Sequence, residues 1–188
     1  GGFDGRIGLV VNLEPKDAAT DLPEDIDATR RADAYMNRQF LDPALLGVWP
    51  PELHDVFGAA WPDQANDALA LIRQPIDFIG INYYTRAVTR HDDSALPVRA
   101  SVVKQPAATY TETGWEVHPD SLTRLLLGVK ARYGDIPLYI TENGAAFYDA
   151  PKAHDGRVED PLRVRYLHDH IRAVHRAIAA GVDLRGYF

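Results

Sequence analysis

Glu142 carries the strongest chemical signal in this 188-residue chain. It stands in Pro137-Leu138-Tyr139-Ile140-Thr141-Glu142-Asn143-Gly144, where an apolar run passes straight into a hydroxyl, a carboxylate, an amide and a glycine. A carboxylate is costly to desolvate unless neighbours hold it, so its place here calls for partners or a catalytic task. Gly144 is expected to let the backbone turn sharply just after it. Asn82 and Tyr84 end a second run of this kind, Ile76-Asp77-Phe78-Ile79-Gly80-Ile81-Asn82-Tyr83-Tyr84-Thr85. Two positions apart on a strand, they point the same way. If they share a mouth with Glu142, the phenol of Tyr84 can donate to the carboxylate and favour its ionised form. The amide of Asn82 can then bind a substrate hydroxyl. The pattern leaves a plainer alternative open, in which Asn82 and Tyr84 close a strand and Glu142 forms a strand-end salt bridge.

The elements that must position these residues are legible as alternating runs. Short apolar stretches with polar ends predict strands at 7–12, 76–85 and 137–142, the first and last of them buried, with Asn12 at the end of the first, and a fourth strand begins over 182–188. A helix is expected over 25–40, stopped by Leu41-Asp42-Pro43, because the residue before a proline disfavours the helical region. A short helix is expected over 63–74. Leu122, Leu125, Leu126, Val129 and Tyr133 mark one face of a third, ended by Gly134. Asp160 and Pro161 open a fourth, with Leu167, Ile171, Val174 and Ile178 on one face and Gly181 closing it. Residues 47–62, 86–112 and 145–160 read as loops, the second so long that it should be functional or mobile.

Strand and helix in alternation predict an α/β fold with a parallel sheet and right-handed crossovers. No glycine-rich phosphate turn follows any strand, which disfavours a nucleotide-binding open sheet. A (β/α)8 barrel typically takes about 250 residues and mounts its reacting groups at the carboxyl ends of its strands. Four strands, the last one short, therefore predict half of such a barrel, with residues 1–188 forming a single domain and no second one.

Composition narrows the function. A net charge of −7 with 46% hydrophobic residues describes a globular chain with a sizeable core. The acidic balance argues against nucleic acid or an anionic membrane surface as partner. With no cysteine, disulfides and thiolate metal sites are excluded. His168 and His170, two apart on a helix, face different ways, so no metal site is expected. No apolar run approaches the ~18 residues of a membrane span. The first residues lack the apolar core of a signal peptide, which favours a cytoplasmic location.

Ile140-Thr141-Glu142-Asn143-Gly144 resembles the nucleophile signature of the family 1 glycoside hydrolases, the retaining β-glucosidases and β-galactosidases. Gly80-Ile81-Asn82-Tyr83-Tyr84-Thr85 is similar to that family's sixth-strand motif, and Gly114-Trp115-Glu116 to its segment before the seventh helix. Asn37-Arg38-Gln39-Phe40-Leu41-Asp42-Pro43 and the stretch from Gly181-Val182 to Gly186-Tyr187-Phe188 match in order and spacing. The resemblance implies that the four strands are strands five to eight, so that the chain is the C-terminal half of the barrel. It implies Glu142 as nucleophile, Tyr84 as its hydrogen-bond donor, Asn82 as a sugar-binding amide and Trp115 as the plate for the leaving group. It implies a small β-glycoside or oligosaccharide as substrate, most simply a β-glucoside, and no cofactor. The family's acid/base glutamate, in an Asn-Glu-Pro motif, lies upstream of this chain. Asn12-Leu13-Glu14-Pro15 imitates that motif with an inserted leucine and matches a non-catalytic region, so Glu14 is not expected to act. The N-terminal half of the barrel becomes a required partner, and the chain alone is expected to be inactive. The rival from another class is a sugar-binding or structural half-barrel.

Overall fold

A computed structural model describes residues 4–62, 65–148 and 152–188. Four parallel strands form the main sheet: β1 (Gly8–Asn12), β3 (Phe78–Asn82), β6 (Leu138–Glu142) and β9 (Leu184–Tyr187), in the order β1-β3-β6-β9. These fall within the four apolar runs. Alternation divides their side chains between two faces. Val11, Ile79, Ile81, Leu138 and Ile140 point to the helices and are buried. They pack with Leu122, Leu126 and Val129 of α5 (Pro119–Tyr133) and Ala173, Val174 and Ala177 of α6 (Pro161–Ala179). Each such valine, leucine or isoleucine side chain contributes about 1.5–3 kcal/mol by leaving water. On the opposite face Gly80 lies so close to Val10 and Thr141 that a Cβ would sit 2.8 Å from a methyl of each, which explains glycine there. Gly134 and Gly181 follow α5 and α6 at φ of 85° and 93°, where residues with a Cβ are strained.

Several expectations need correction. The first helix does not stop at Leu41-Asp42-Pro43. Helix α1 (Pro23–Asp33) runs on through a π-helical turn (Ala34–Arg38), α2 (Gln39–Leu41) and a second π-helical turn (Asp42–Leu46), ending only at the left-handed Gly47. Tertiary anchoring overrides the proline's local preference: buried Asp42 accepts from Nε of Arg132 at 2.8 Å and from the Tyr133 hydroxyl at 2.7 Å. Residues 47–62 are not all loop, since they hold α3 (Glu52–Phe57). The helix expected over 63–74 shortens to α4 (Leu69–Ile72), with 63 and 64 outside the described residues.

The long segment 86–112 is not structureless. It supplies β4 (Ala87–His91) and β5 (Ala100–Val102), which join β2 (Lys16–Ala18) in a small three-stranded sheet beside the main one. The polar stretch before α6 contains a short hairpin, β7 (Ala153–His154) and β8 (Arg157–Val158). Helix α6 also buries a different face. Leu167, Ile171 and Ile178 are exposed, while Tyr166, His170, Ala173, Val174 and Ala177 turn inward. The alanines permit close approach to α5, whose Thr123 hydroxyl donates to the Ala173 carbonyl at 2.9 Å.

Candidate active site

Asn12, Asn82 and Glu142 stand side by side at the carboxyl ends of β1, β3 and β6, as register partners. Strict alternation would send Glu142 the wrong way. Leu138 and Ile140 face the helices, and the residue two further on should follow them. Instead the register shifts: Ile81 pairs with Ile140 but Asn82 with Glu142, so Thr141 is the extra residue of a bulge. A bulge re-aims the side chain that follows it. Glu142 is thereby exposed on the face opposite the core, where Oε2 accepts a hydrogen bond from the Tyr84 hydroxyl. That bond, ahead of modest burial, pushes the Tyr84 phenol up to about 12, so it remains a donor at neutral pH. The Thr141 hydroxyl donates to Oδ1 of Asn82 at 2.6 Å, turning the amide nitrogen of Asn82 into the end available to a ligand.

Asn143 fixes the strand just past the carboxylate. Its Nδ2 donates to the Tyr83 carbonyl at 2.7 Å and to the Tyr166 hydroxyl at 2.9 Å, and its Oδ1 accepts from Tyr187 at 2.6 Å. Gly144 is not among the glycines with positive φ, so the turn after Glu142 rests on Asn143 rather than on a left-handed glycine. The Trp115 ring lies 4.9 Å from that of Tyr84, centroid to centroid, at 34°, and is 39% exposed. Its loop is closed by Trp115 N–H to the Thr111 hydroxyl (3.1 Å) and Thr111 N–H to the Trp115 carbonyl (2.8 Å). All four singled-out residues, Asn82, Tyr84, Trp115 and Glu142, therefore meet at one end of the sheet. Sequence reasoning missed Thr141 and the three ties of Asn143, although both flank Glu142 and carry the polar groups that strand ends use.

Glu14 borders a hollow of about 380 Å³ with Asn12, Met36, Tyr84 and Trp115. Its carboxylate is paired with the Lys16 ammonium, and Asn37 bonds its N–H and carbonyl, both at 2.9 Å. A larger hollow of about 460 Å³ lies between α1 and α5. Its acids are already paired, Asp17 with Arg124 and Asp33 with Arg38, so size alone does not make it the site. Among the described residues no group of three or more His, Cys, Asp or Glu is arranged to hold a metal ion. No described helix is long and apolar enough to cross a membrane.

An exposed carboxylate held by a phenol, beside an amide and an aromatic plate, suits polyhydroxylated ligands. The comparisons with known proteins agree. The 1,4-beta-D-glucan glucohydrolase of Thermotoga neapolitana is 39% identical over 98% of this chain, and a thermostable beta-glucosidase B of Thermobispora bispora 43% identical over 98%. The chain spans 43% and 39% of those relatives, about two fifths of their length. The solved family 1 β-glucosidase of Thermotoga maritima, in complex with deoxynojirimycin, superposes with a TM-score of 0.91 at 37% identity, over 99% of this chain and 41% of that one. The sheet and its helices are thus part of a (β/α)8 barrel. The family model for glycosyl hydrolase family 1 matches residues 2–188, and the chain belongs to that family.

Proposed function

We propose that this chain is the C-terminal half, strands five to eight, of the single-domain barrel of a retaining β-glycosidase acting on β-glucosides. The observation that carries the reading is the bulge at Thr141, which brings Glu142 out beside Tyr84 and Trp115 at the carboxyl end of the sheet. Similarity to β-glucosidases at 38–43% identity favours glucose as the sugar. Glu142 attacks the anomeric carbon, forming a glycosyl–enzyme bond as the glycosidic C–O bond breaks. A second carboxylate, about 5–5.5 Å away on the N-terminal half of the barrel, protonates the leaving oxygen and then activates water for hydrolysis. Tyr84 steadies Glu142, Asn82 bonds a sugar hydroxyl, and Trp115 offers apolar area to the leaving group at little rotamer cost. Because two carboxylates must flank one bond, the N-terminal half is the partner this half needs, and the half alone is inactive. No cofactor takes part.

The test follows the anomeric proton by NMR while the full-length protein hydrolyses an aryl β-glucoside. The first sugar released should be the β-anomer. An α-anomer first, or no hydrolysis at all, contradicts the proposal.

A further inference from the structure

Close in the chain to the two aromatic residues stands an ion pair that the catalytic reading does not use. Glu116 follows Trp115 in the chain, and Arg86 comes two residues after Tyr84. Glu116 is only 6% exposed, and Arg86 meets it with a two-pronged contact, Nε to Oε2 at 3.0 Å and Nη2 to Oε1 at 2.9 Å. The remaining Nη1 of Arg86 reaches Oδ2 of Asp17 on β2 at 2.8 Å. Asp17 in turn takes both Nη atoms of Arg124 on α5, at 2.7 and 2.8 Å. The Thr85 hydroxyl donates to the Glu116 carbonyl at 3.1 Å.

Both carboxylate oxygens of Glu116 and all three nitrogens of Arg86 thus already bond within the protein. A fork of this kind fixes geometry more tightly than an ammonium could. Buried pairs seldom raise net stability over an apolar substitute, so their use lies more often in holding one arrangement. Here the arrangement held is the approach of two chain segments: the stretch after β3 that carries Tyr84 and the loop that carries Trp115.

We propose that the Arg86–Glu116 pair is the positioning device of the aromatic wall, fixing the Trp115 ring against Tyr84 and so setting how strongly the site prefers aryl over alkyl leaving groups. This rests on the β-glycosidase reading of the same site. Asp17 and Arg124 anchor the outer end of the device, which explains why a surface arginine on α5 reaches across to β2.

The experiment uses the full-length protein and the ratio of kcat/KM for an aryl and an alkyl β-glucoside, with active enzyme counted by its burst of leaving group. Glu116→Gln should lower that ratio roughly threefold to tenfold, the range expected for one misplaced aromatic contact, mainly through a raised KM for the aryl substrate. In a Trp115→Ala background the same change should move the ratio by less than about twofold, because coupled residues are not additive. Glu116→Asp, which keeps the charge, should recover part of the loss. If Glu116→Gln does not fold, Arg86→Lys and Asp17→Asn carry the same cycle. A lowered Tm with the ratio unmoved makes the pair merely structural and overturns the proposal, as does an equal fall in the Trp115→Ala background. A wild-type protein inert toward both glucosides overturns the glycosidase reading and this proposal with it.

Discussion

Glu14 and Glu142 are both carboxylates at the mouth end of a parallel strand, and their surroundings differ in kind. Glu14 is paired with an ammonium, and Asn37 clasps its backbone on both sides. Glu142 is turned out by a bulge and meets a neutral phenol through one oxygen only. An ion pair spends the charge of a carboxylate on structure, whereas a single neutral donor orients it and leaves the other oxygen open to a ligand. The lesson is that a strand-end acid is read by its partner and not by its place in the chain.

The largest expected effect breaks the comparison at Glu142. Glu142→Gln in the full-length enzyme should lower kcat by about 10⁴-fold or more, as loss of one member of a cooperating catalytic set does, with the far-UV spectrum unchanged. Tyr84→Phe should be milder, costing about 1.5–3 kcal/mol for one bond to a charged acceptor, or roughly tenfold to 150-fold in kcat/KM. The pairing also has a pH signature. The raised phenol of Tyr84 stays protonated through its ordinary value near 10 and loses the Glu142 bond only as pH rises through about 12. In a difference titration of phenolate absorbance, wild type minus Glu142→Gln, one tyrosine should shift down toward pH 10 in the variant. Coincident curves would remove the pairing.

Trp115→Ala should change selection between aryl and alkyl leaving groups by about 0.5–1.5 kcal/mol while slowing attack on an activated aryl glucoside less. Unchanged selectivity would mean that Trp115 is not the platform. The smallest effect is reserved for Glu14. Glu14→Gln should alter kcat by less than about threefold, the scale of a substitution outside the reacting set. A loss comparable to that of Glu142→Gln would erase the distinction between the two carboxylates.

Much of this was legible in the chain. The central strands announce themselves because strands covered by helices need apolar runs, and Phe78-Ile79-Gly80-Ile81 and Leu138-Tyr139-Ile140 supply them before the polar ends begin. Helix α5 was legible because its apolar spacing coincides with the face it buries. Helix α6 was not, since Leu and Ile weigh more in a hydrophobic count than the alanines, Tyr166 and His170 that touch the core. The continuation through Pro43 depends on Arg132 and Tyr133, some ninety positions away, which no local rule can see. The strands in 86–112 are only five and three residues long and sit in a Thr- and Pro-rich segment, so Ala-Val-Thr-Arg-His and Ala-Ser-Val carry no strong apolar signal; they pair with β2 and one another. At the site, Glu142, Tyr84 and Asn82 were visible as polar ends of apolar runs. The bulge that brings Glu142 to their side was not, because a shift in register is a property of two strands together.

The most direct measurement is covalent capture. The full-length protein, treated with an activated 2-deoxy-2-fluoro β-glucoside and digested, should yield one peptide heavier by one fluorosugar, with fragmentation placing the label on Glu142 between Thr141 and Asn143. Label on Glu14, or on any other carboxylate, would contradict the account.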